Sequence, residues 1–366
     1  MSDARPADLP TPRPALAKLP PYVPGARGAA DAAPPVKLSS NESPHGPLPS
    51  VVGVVESAAA GINRYPDMGA AELTERIAAH VGRDAADVVV GGGSVAVLAH
   101  LLQAYTGPGD EVMFAWRSFE AYPILARIAG AESVMIPLTA DARHDLPAMI
   151  AAVTERTRVI MLCSPNNPTG PILTQAELDS FMAAVPTRVL VVLDEAYVEY
   201  VRDDAVADGP ASLDRFANLV LLRTFSKAYG LAGLRVGYAV GPAALMAPVR
   251  ACVTPFSVSG PAQAAAIASL DARDELLERA AEVVAERTRV LAALREQGWS
   301  VPDSQGNFVW LGIGDATGDL VAHLGGAEPA ILVRPFASEG VRVTIGHAAE
   351  NDAFLARIAT YGGARA

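Results

Sequence analysis

The sequence is poor in cysteine, in basic residues and in histidine. Its two cysteines, Cys163 and Cys252, lie too far apart to form a metal-ligand pair, and such sparse use is typical of a reducing compartment. The 29 lysines and arginines are outnumbered by 40 aspartates and glutamates, giving a formal net charge of -11. This balance argues against nucleic acid as a partner, because phosphate backbones are bound by clustered basic residues. The histidines form no ligand cluster, so we expect no metal site.

The sequence also lacks long apolar runs. Nowhere does it offer the ~18 uninterrupted apolar residues of a membrane span, and its first residues lack the apolar core of a secretory signal. We therefore expect a soluble, cytoplasmic protein with no membrane partner. Nine prolines among the first 35 residues disfavour regular structure there, which predicts an N-terminal arm over residues 1–40.

What the sequence does contain is a regular alternation of apolar runs and helical periods. The runs are DVVV (87–90), EVMF (111–114), SVMIPL (133–138), RVIMLC (158–163), RVLVVLDEAY (188–197) and NLVLLRT (218–224), and helical periods begin at Ser94, at Phe119, near residue 147 and after the capping box of Thr174 and Glu177. Such continuously apolar strands are typical of a mostly parallel sheet covered by helices. The pattern predicts an α/β fold with a large domain at 41–250 and a smaller α+β domain at 251–366.

In such a sheet, ligands bind at the carboxyl ends of the strands. Gly91, Gly93 and Ala96 formally match a dinucleotide-binding pattern, which keeps a nicotinamide-dependent oxidoreductase open. However, the acidic residues Asp110 and Glu111 lie at the wrong end of the second strand to hold a ribose. A glycine turn that leads into a helix N-terminus still predicts an anion site, although a plain tight turn has the same sequence.

Three further strand ends carry polar groups: Asn167 in SPNNPTG, Asp194 in DEAY, and Lys227 in TFSKAYGLAGLRVG. Taken alone, Lys227 is more simply a surface lysine, and SPNNPTG is more simply a structural turn. An aspartate that ends an apolar strand, however, is costly to bury unless a cation compensates it. Together the strand ends supply an anion cradle, an amide, a carboxylate and an amine, the set that pyridoxal 5'-phosphate requires.

These blocks, together with VRVTIG at 341–346, resemble those of fold type I pyridoxal-phosphate-dependent aminotransferases, in the branch of histidinol-phosphate and aromatic amino acid aminotransferases. The resemblance runs from LPPYVPG at 19–25 to the C-terminus, in the order and spacing of the family. It implies that Lys227 forms the Schiff base, that Asp194 pairs with the pyridine nitrogen, and that Asn167 and Tyr197 bind the ring oxygen.

The resemblance also implies the remaining site residues. It assigns Ser94, the backbone at Val95, Thr224, Ser226 and Arg235 to the phosphate, Phe119 to stacking on the ring, Tyr65 to the phosphate of a partner subunit in a homodimer, and Arg342, Tyr22 and Asn167 to the substrate. Phe119 taken alone is more simply a core residue of an amphipathic helix.

Substrate choice follows from smaller features of the same resemblance. Ser94-Val95-Ala96 replaces an acidic pair common in the histidinol-phosphate branch, the connection from Arg334 to Arg342 is short, and SSNESPHGPLPSV at 39–51 is similar to the aromatic branch. We expect transfer between an aromatic L-amino acid (phenylalanine, tyrosine or tryptophan) and 2-oxoglutarate, with histidinol-phosphate aminotransferase as the alternative.

Other classes stay open on the sequence. A decarboxylase on the same scaffold would keep every cofactor residue. A hydrolase that uses Ser226 and Lys227 is poorly supported, because the sequence around Ser226 has no glycine-framed nucleophile elbow. A regulator that only binds the cofactor would need a DNA-reading module. His347 follows VRVTIG and could reach the substrate, although a surface histidine is the plainer interpretation.

Overall fold

The computed structural model describes residues 11–19 and 34–365. The strands are β1 Val36–Lys37, β2 Val88–Gly91, β3 Glu111–Trp116, β4 Glu132–Pro137, β5 Thr157–Cys163, β6 Leu190–Asp194, β7 Leu219–Thr224, β8 Gly237–Val240, β9 Phe308–Leu311, β10 Ile331–Leu332, β11 Arg334–Phe336 and β12 Gly340–Thr344. The helices are α1 Pro49–Ala59, α2 Ala71–Val81, α3 Ser94–Tyr105, α4 Ala121–Ala129, α5 Leu146–Ala151, α6 Gln175–Ala184, α7 Gly209–Ser212, α8 Ala243–Cys252, α9 Gly260–Asp271, α10 Arg273–Glu296, α11 Thr317–Gly325 and α12 Ala348–Ala359.

A seven-stranded sheet in the order β2-β8-β7-β6-β5-β3-β4 forms the centre of the fold. β8 runs antiparallel to both of its neighbours, and the other pairs are parallel. The predicted α/β class with a mostly parallel sheet is therefore confirmed. β8 was not predicted, because its four residues follow a glycine-rich stretch and form too short an apolar run to stand out.

Both faces of this sheet are covered by helices, as the apolar strands predict. Along β6, Val191 and Leu193 join the apolar layer that contains α1, α2, α6 and α9, whereas Leu190 and Val192 join the layer that contains α3, α4 and α8. The side chains alternate because successive residues of a strand point to opposite faces. The predicted capping box begins α6: Thr174 N donates to Glu177 Oε2 over 2.8 Å.

A second, antiparallel sheet has the order β11-β12-β9, and it packs with α10, α11 and α12 around a separate apolar cluster. α9, beyond residue 250, lies beside the large sheet with α1 and α2. The predicted division into domains at residue 250 stays a prediction.

Parts of the predicted arm carry short regular structure. Residues 14–18 form a 3-10 helix beside α4, where Arg13 Nη2 donates to the carbonyl oxygen of Ile128 over 2.6 Å. β1 pairs in parallel with β10 of the C-terminal part of the chain. Across the described residues, no helix combines the length and the apolar character needed to cross a membrane.

Candidate active site

A cavity of about 250 Å³ opens where the carboxyl ends of β5, β6 and β7 face the smaller sheet. Its position follows from the topology, since parallel strands end at one edge of the sheet. The predicted residues that line it are Ser94, Val95, Phe119, Asn167, Asp194, Tyr197, Thr224, Ser226, Lys227, Arg235 and Arg342. Side chains from distant parts of the sequence therefore meet in one place.

Lys227 follows β7, and its amine points into this cavity. Nζ donates to the carbonyl oxygen of Ser40 over 3.2 Å and lies 5.7 Å from the centre of the Tyr197 ring. Burial, followed by the nearby guanidinium of Arg342, lowers the pKa of Lys227 from 10.5 to about 7. Near neutral pH much of the amine is therefore unprotonated, which is the form that attacks a carbonyl carbon.

Asp194 ends β6 and is buried at the floor of the cavity. Tyr122 donates its hydroxyl to Asp194 Oδ2 over 2.6 Å, and the backbone N–H of Ala196 donates to Oδ1 over 3.2 Å. Burial raises the pKa of Asp194 from 3.8 to about 6, against the hydrogen bond from Tyr122. A carboxylate held in this way favours a cationic partner, because a nearby positive charge restores its ionised form.

Tyr122 was not predicted as a site residue. It lies on the buried face of α4, where its sequence pattern is that of a core aromatic. One signal was available: the hydroxyl of a buried tyrosine usually finds a hydrogen-bond partner. The identity of that partner, however, depends on a contact across 72 residues of chain.

The glycine turn after β2 forms a cradle around Arg235. Gly93 has a φ of +94°, and a Cβ atom at this position would lie 2.5 Å from Arg235 Nη2. α3 begins at the next residue, so the unpaired N–H groups of its first turn, at Ser94 and Val95, are at the cavity. A helix N-terminus next to a guanidinium favours a bound anion.

Two hydroxyls complete this end of the cavity. Arg235 Nη1 donates to Ser226 Oγ over 3.3 Å, and the Ser226 N–H donates to Thr224 Oγ1 over 3.1 Å. Serine and threonine hydroxyls donate as well as accept, so both can turn their hydrogens toward an anion. The set of donors is that of a phosphate site.

At the other end of the cavity, Arg342 on β12 is buried and fixed by two hydrogen bonds. Nη1 donates to Asn167 Oδ1 over 2.6 Å, and Nη2 donates to the carbonyl oxygen of Ser39 over 2.8 Å. The Tyr197 hydroxyl accepts a hydrogen bond from Asn41 Nδ2 over 3.0 Å, and burial raises the pKa of Tyr197. Asn41 was not predicted individually, although it lies in the SSNES segment.

The structure also places the remaining candidates. Phe119 lies two residues before α4, and does not start that helix as predicted, because the chain still bends at residues 117–120. Its ring contacts Tyr122 edge-on, with centroids 5.6 Å apart. Tyr65 is 83% exposed and is not among the residues that line the cavity. Tyr22 falls outside the described residues, and His347 contacts His45 with ring centroids 5.2 Å apart.

Comparison with known proteins extends over nearly the whole chain. The family model described as aminotransferase class I and II matches residues 33–358. The chain is 53% identical over 341 residues to an aromatic amino acid aminotransferase of Streptomyces coelicolor, covering 93% of this chain and 94% of the relative. It is 52% identical over 361 residues to an aromatic amino acid aminotransferase of Thermobifida fusca, covering 99% of each.

A solved structure with the same architecture is that of histidinol-phosphate aminotransferase from Sinorhizobium meliloti in complex with pyridoxal-5'-phosphate. It superimposes with a TM-score of 0.81 at 28% identity, covering 87% of this chain and 89% of that chain. The similarity therefore includes the overall fold as well as the sequence.

Proposed function

Since the chain belongs to the class I and II aminotransferases, we propose that it transfers the amino group of an aromatic L-amino acid to 2-oxoglutarate. The observation that carries this proposal is the convergence of Lys227, Asp194 and Arg342 on one cavity, in a chain about half identical to aromatic amino acid aminotransferases. The donors phenylalanine, tyrosine and tryptophan share an α-carboxylate for Arg342 and a planar ring.

Pyridoxal 5'-phosphate is the cofactor of this family, and the residues present fit it. The cradle at Gly93, which a Cβ atom would obstruct, has the donor set of a phosphate site together with Ser226 and Arg235. At the floor of the cavity Asp194 offers a buried carboxylate to a pyridinium nitrogen. When bound, the cofactor supplies an aldehyde that takes up the amino group and a ring that withdraws electrons from the substrate's α-carbon.

In this proposal Lys227 has two roles: it attaches the cofactor to the chain, and it transfers the proton. Its Nζ, with a pKa lowered to about 7, can take a proton from the substrate's α-carbon. It can then give that proton to the carbon on the other side of the transferred nitrogen. A base whose pKa is near the working pH performs both steps, since neither protonation state dominates.

Asp194 and Arg342 set the electrostatics and the geometry around that amine. The carboxylate of Asp194 stabilises positive charge at the floor of the cavity, and Tyr122 fixes its orientation. Arg342 would bind the substrate carboxylate through paired hydrogen bonds and so fix which bond of the α-carbon faces Lys227. Asn167 and Tyr197 also line the cavity, and we assign them to the ring oxygen.

Initial rates with phenylalanine, tyrosine, histidinol phosphate and aspartate, at matched 2-oxoglutarate, test the substrate proposal. We expect kcat/KM to be highest for the two aromatic amino acids. Faster turnover of histidinol phosphate would overturn the aromatic assignment and favour the histidinol-phosphate alternative, while leaving the cofactor residues in place.

A homodimer is part of the proposal, with Tyr65 reaching the partner's cofactor phosphate. Tyr65 stacks on Phe256 with ring centroids 4.7 Å apart, and Ile62 and Met68 are 71% and 60% exposed nearby in the sequence. Exposed apolar groups of this kind favour a protein interface. Light scattering should give twice the chain mass, and Tyr65→Phe should weaken cofactor binding without dissociating the dimer. A monomeric mass with full activity would contradict this.

The cytoplasmic location is also a proposal. Cys163 and Cys252 are both free thiols, as is common in a reducing compartment. Fractionation of the native cells, followed by detection of the chain, tests it. Recovery from an oxidising compartment would contradict it.

A further inference from the structure

A second arginine enters the cavity beside Arg342. Arg334 on β11 is the direct cross-strand partner of Arg342 on β12, and residues paired in this way project from the same face of the sheet. Both residues are buried, with 6% and 7% exposure, and both line the cavity. Like charges directly opposite each other are destabilising, so the arrangement calls for a compensating negative charge.

Glu120 supplies that charge to Arg334. Arg334 donates to Glu120 Oε2 from Nη2 over 2.5 Å and from Nε over 3.2 Å. Glu120 lies just before α4 and lines the cavity, so the carboxylate as well as the guanidinium faces the substrate space. Phe119 and Phe336 line the same part of the cavity, and the Arg334 guanidinium carbon lies 5.8 Å from the centre of the Phe336 ring.

We propose that Glu120 is a specificity-determining residue: by neutralising Arg334 it lets the substrate side-chain space accept both an uncharged aromatic ring and a second carboxylate. The inference rests on the proposed function, which requires one cavity to take an aromatic amino acid with one carboxylate and 2-oxoglutarate with two in turn. An unpaired arginine there would disfavour the ring, since a buried charge with no partner is costly. A space without any arginine would disfavour the dianion.

The geometry of the ion pair between Glu120 and Arg334 is compatible with both kinds of substrate. Glu120 contacts Arg334 through a single carboxylate oxygen, along the Nε–Nη2 edge of the guanidinium. Both residues line the cavity, so a substrate carboxylate that approaches the Arg334 guanidinium also comes close to the carboxylate of Glu120. Two carboxylates this close together repel each other, which lowers the affinity for every dianion. Glu120 thus limits the preference for dianions while Arg334 still attracts them.

A second ion pair provides a matched control. Arg117 Nε donates to Glu339 Oε2 over 2.8 Å, so this pair also joins the chain before α4 to the hairpin of β11 and β12. Among the described residues, Arg117 and Glu339 are not part of the cavity lining. Glu339→Gln therefore breaks a similar contact without changing the charge of the substrate space.

The test is equilibrium binding of two unreactive analogues to the cofactor-loaded enzyme, measured by calorimetry. 3-Phenylpropanoate is a monoanion with a ring, and glutarate is a dianion; neither has an amine to react. Glu120→Gln should shift the ratio of their affinities toward glutarate by about tenfold or more. Glu339→Gln should leave that ratio within about twofold of the wild-type value.

An unchanged ratio in Glu120→Gln, or an equal shift in both variants, would overturn the proposal. If Glu120→Gln does not fold, the double variant Glu120→Gln/Arg334→Gln removes both charges, and it should weaken glutarate by about tenfold while 3-phenylpropanoate stays within about threefold. Equal effects on the two ligands in this variant would also overturn it. A wild-type enzyme that binds neither analogue would refute the proposed function along with this inference, whereas one that binds both with no shift in the variants refutes this inference alone.

Discussion

Replacing Asp194 with asparagine separates the cost of burying a carboxylate from its use in the reaction. In the cofactor-free protein, burial raises the pKa of Asp194 from 3.8 to about 6. Because the pKa is higher in the folded chain, the protonated carboxyl favours folding, and this contribution is present at low pH and lost as the pH rises through 6. The full loss amounts to about 3 kcal/mol, of which about 2 kcal/mol falls between pH 4.5 and pH 7.

Asparagine carries no charge at any of these pH values, so Asp194→Asn should gain stability relative to the wild type as the pH rises. Urea unfolding of both cofactor-free proteins from pH 4.5 to pH 7 measures this difference through the midpoints and m-values. With cofactor bound, the same variant should lose about 100-fold or more in kcat, since it no longer stabilises a positive charge. The exposed residue Asp204 provides the control Asp204→Asn, which should change stability by less than about 0.5 kcal/mol. Parallel stability curves for wild type and Asp194→Asn would mean that folding does not raise the pKa of Asp194.

Tyr122, Gly93 and Lys227 each give the cavity a property that a separate measurement can check. Tyr122→Phe removes the hydrogen bond to Asp194, so kcat should fall about 5-fold with little change in KM. Steady-state kinetics measures both constants, and a change in KM alone would contradict this prediction. Gly93→Ala places a methyl group against Arg235 and strains a backbone with a φ of +94°. Cofactor affinity, measured by fluorescence titration, should therefore fall about tenfold. Unaltered affinity would argue against a phosphate cradle at Gly93. Competitive labelling of Lys227 with an acylating reagent in the cofactor-free protein should be half-maximal near pH 7, because its pKa is lowered to about 7; a midpoint near 10 would contradict this.

The groups at the strand ends could be predicted from the sequence because their signals are local. Asp194 ends an apolar strand, and Lys227 lies in a glycine-bounded loop directly after another. Once the fold is known, residues at neighbouring strand ends can be placed together. The alternation of strands and helices in the sequence indicates that fold. The family resemblance added the roles, which a single motif does not carry.

The contacts that support these groups could not be predicted, because they join residues that are distant in sequence. Asn41 reaches Tyr197 across 156 residues, and Arg334 reaches Glu120 across 214. A tyrosine such as Tyr122 on the buried face of a helix has the pattern of a core residue, and a glutamate just before a helix has that of a solvated charge. Burial and pairing decide between these interpretations, and both depend on tertiary structure.

The first half-reaction, run alone, is the sharpest test of the proposed transamination. L-phenylalanine is mixed with the cofactor-loaded enzyme without any amino acceptor, and phenylpyruvate and carbon dioxide are both measured. The proposed transamination predicts one phenylpyruvate per active site with no carbon dioxide, and no product from Lys227→Ala. Release of carbon dioxide, or undiminished product from Lys227→Ala, would contradict it.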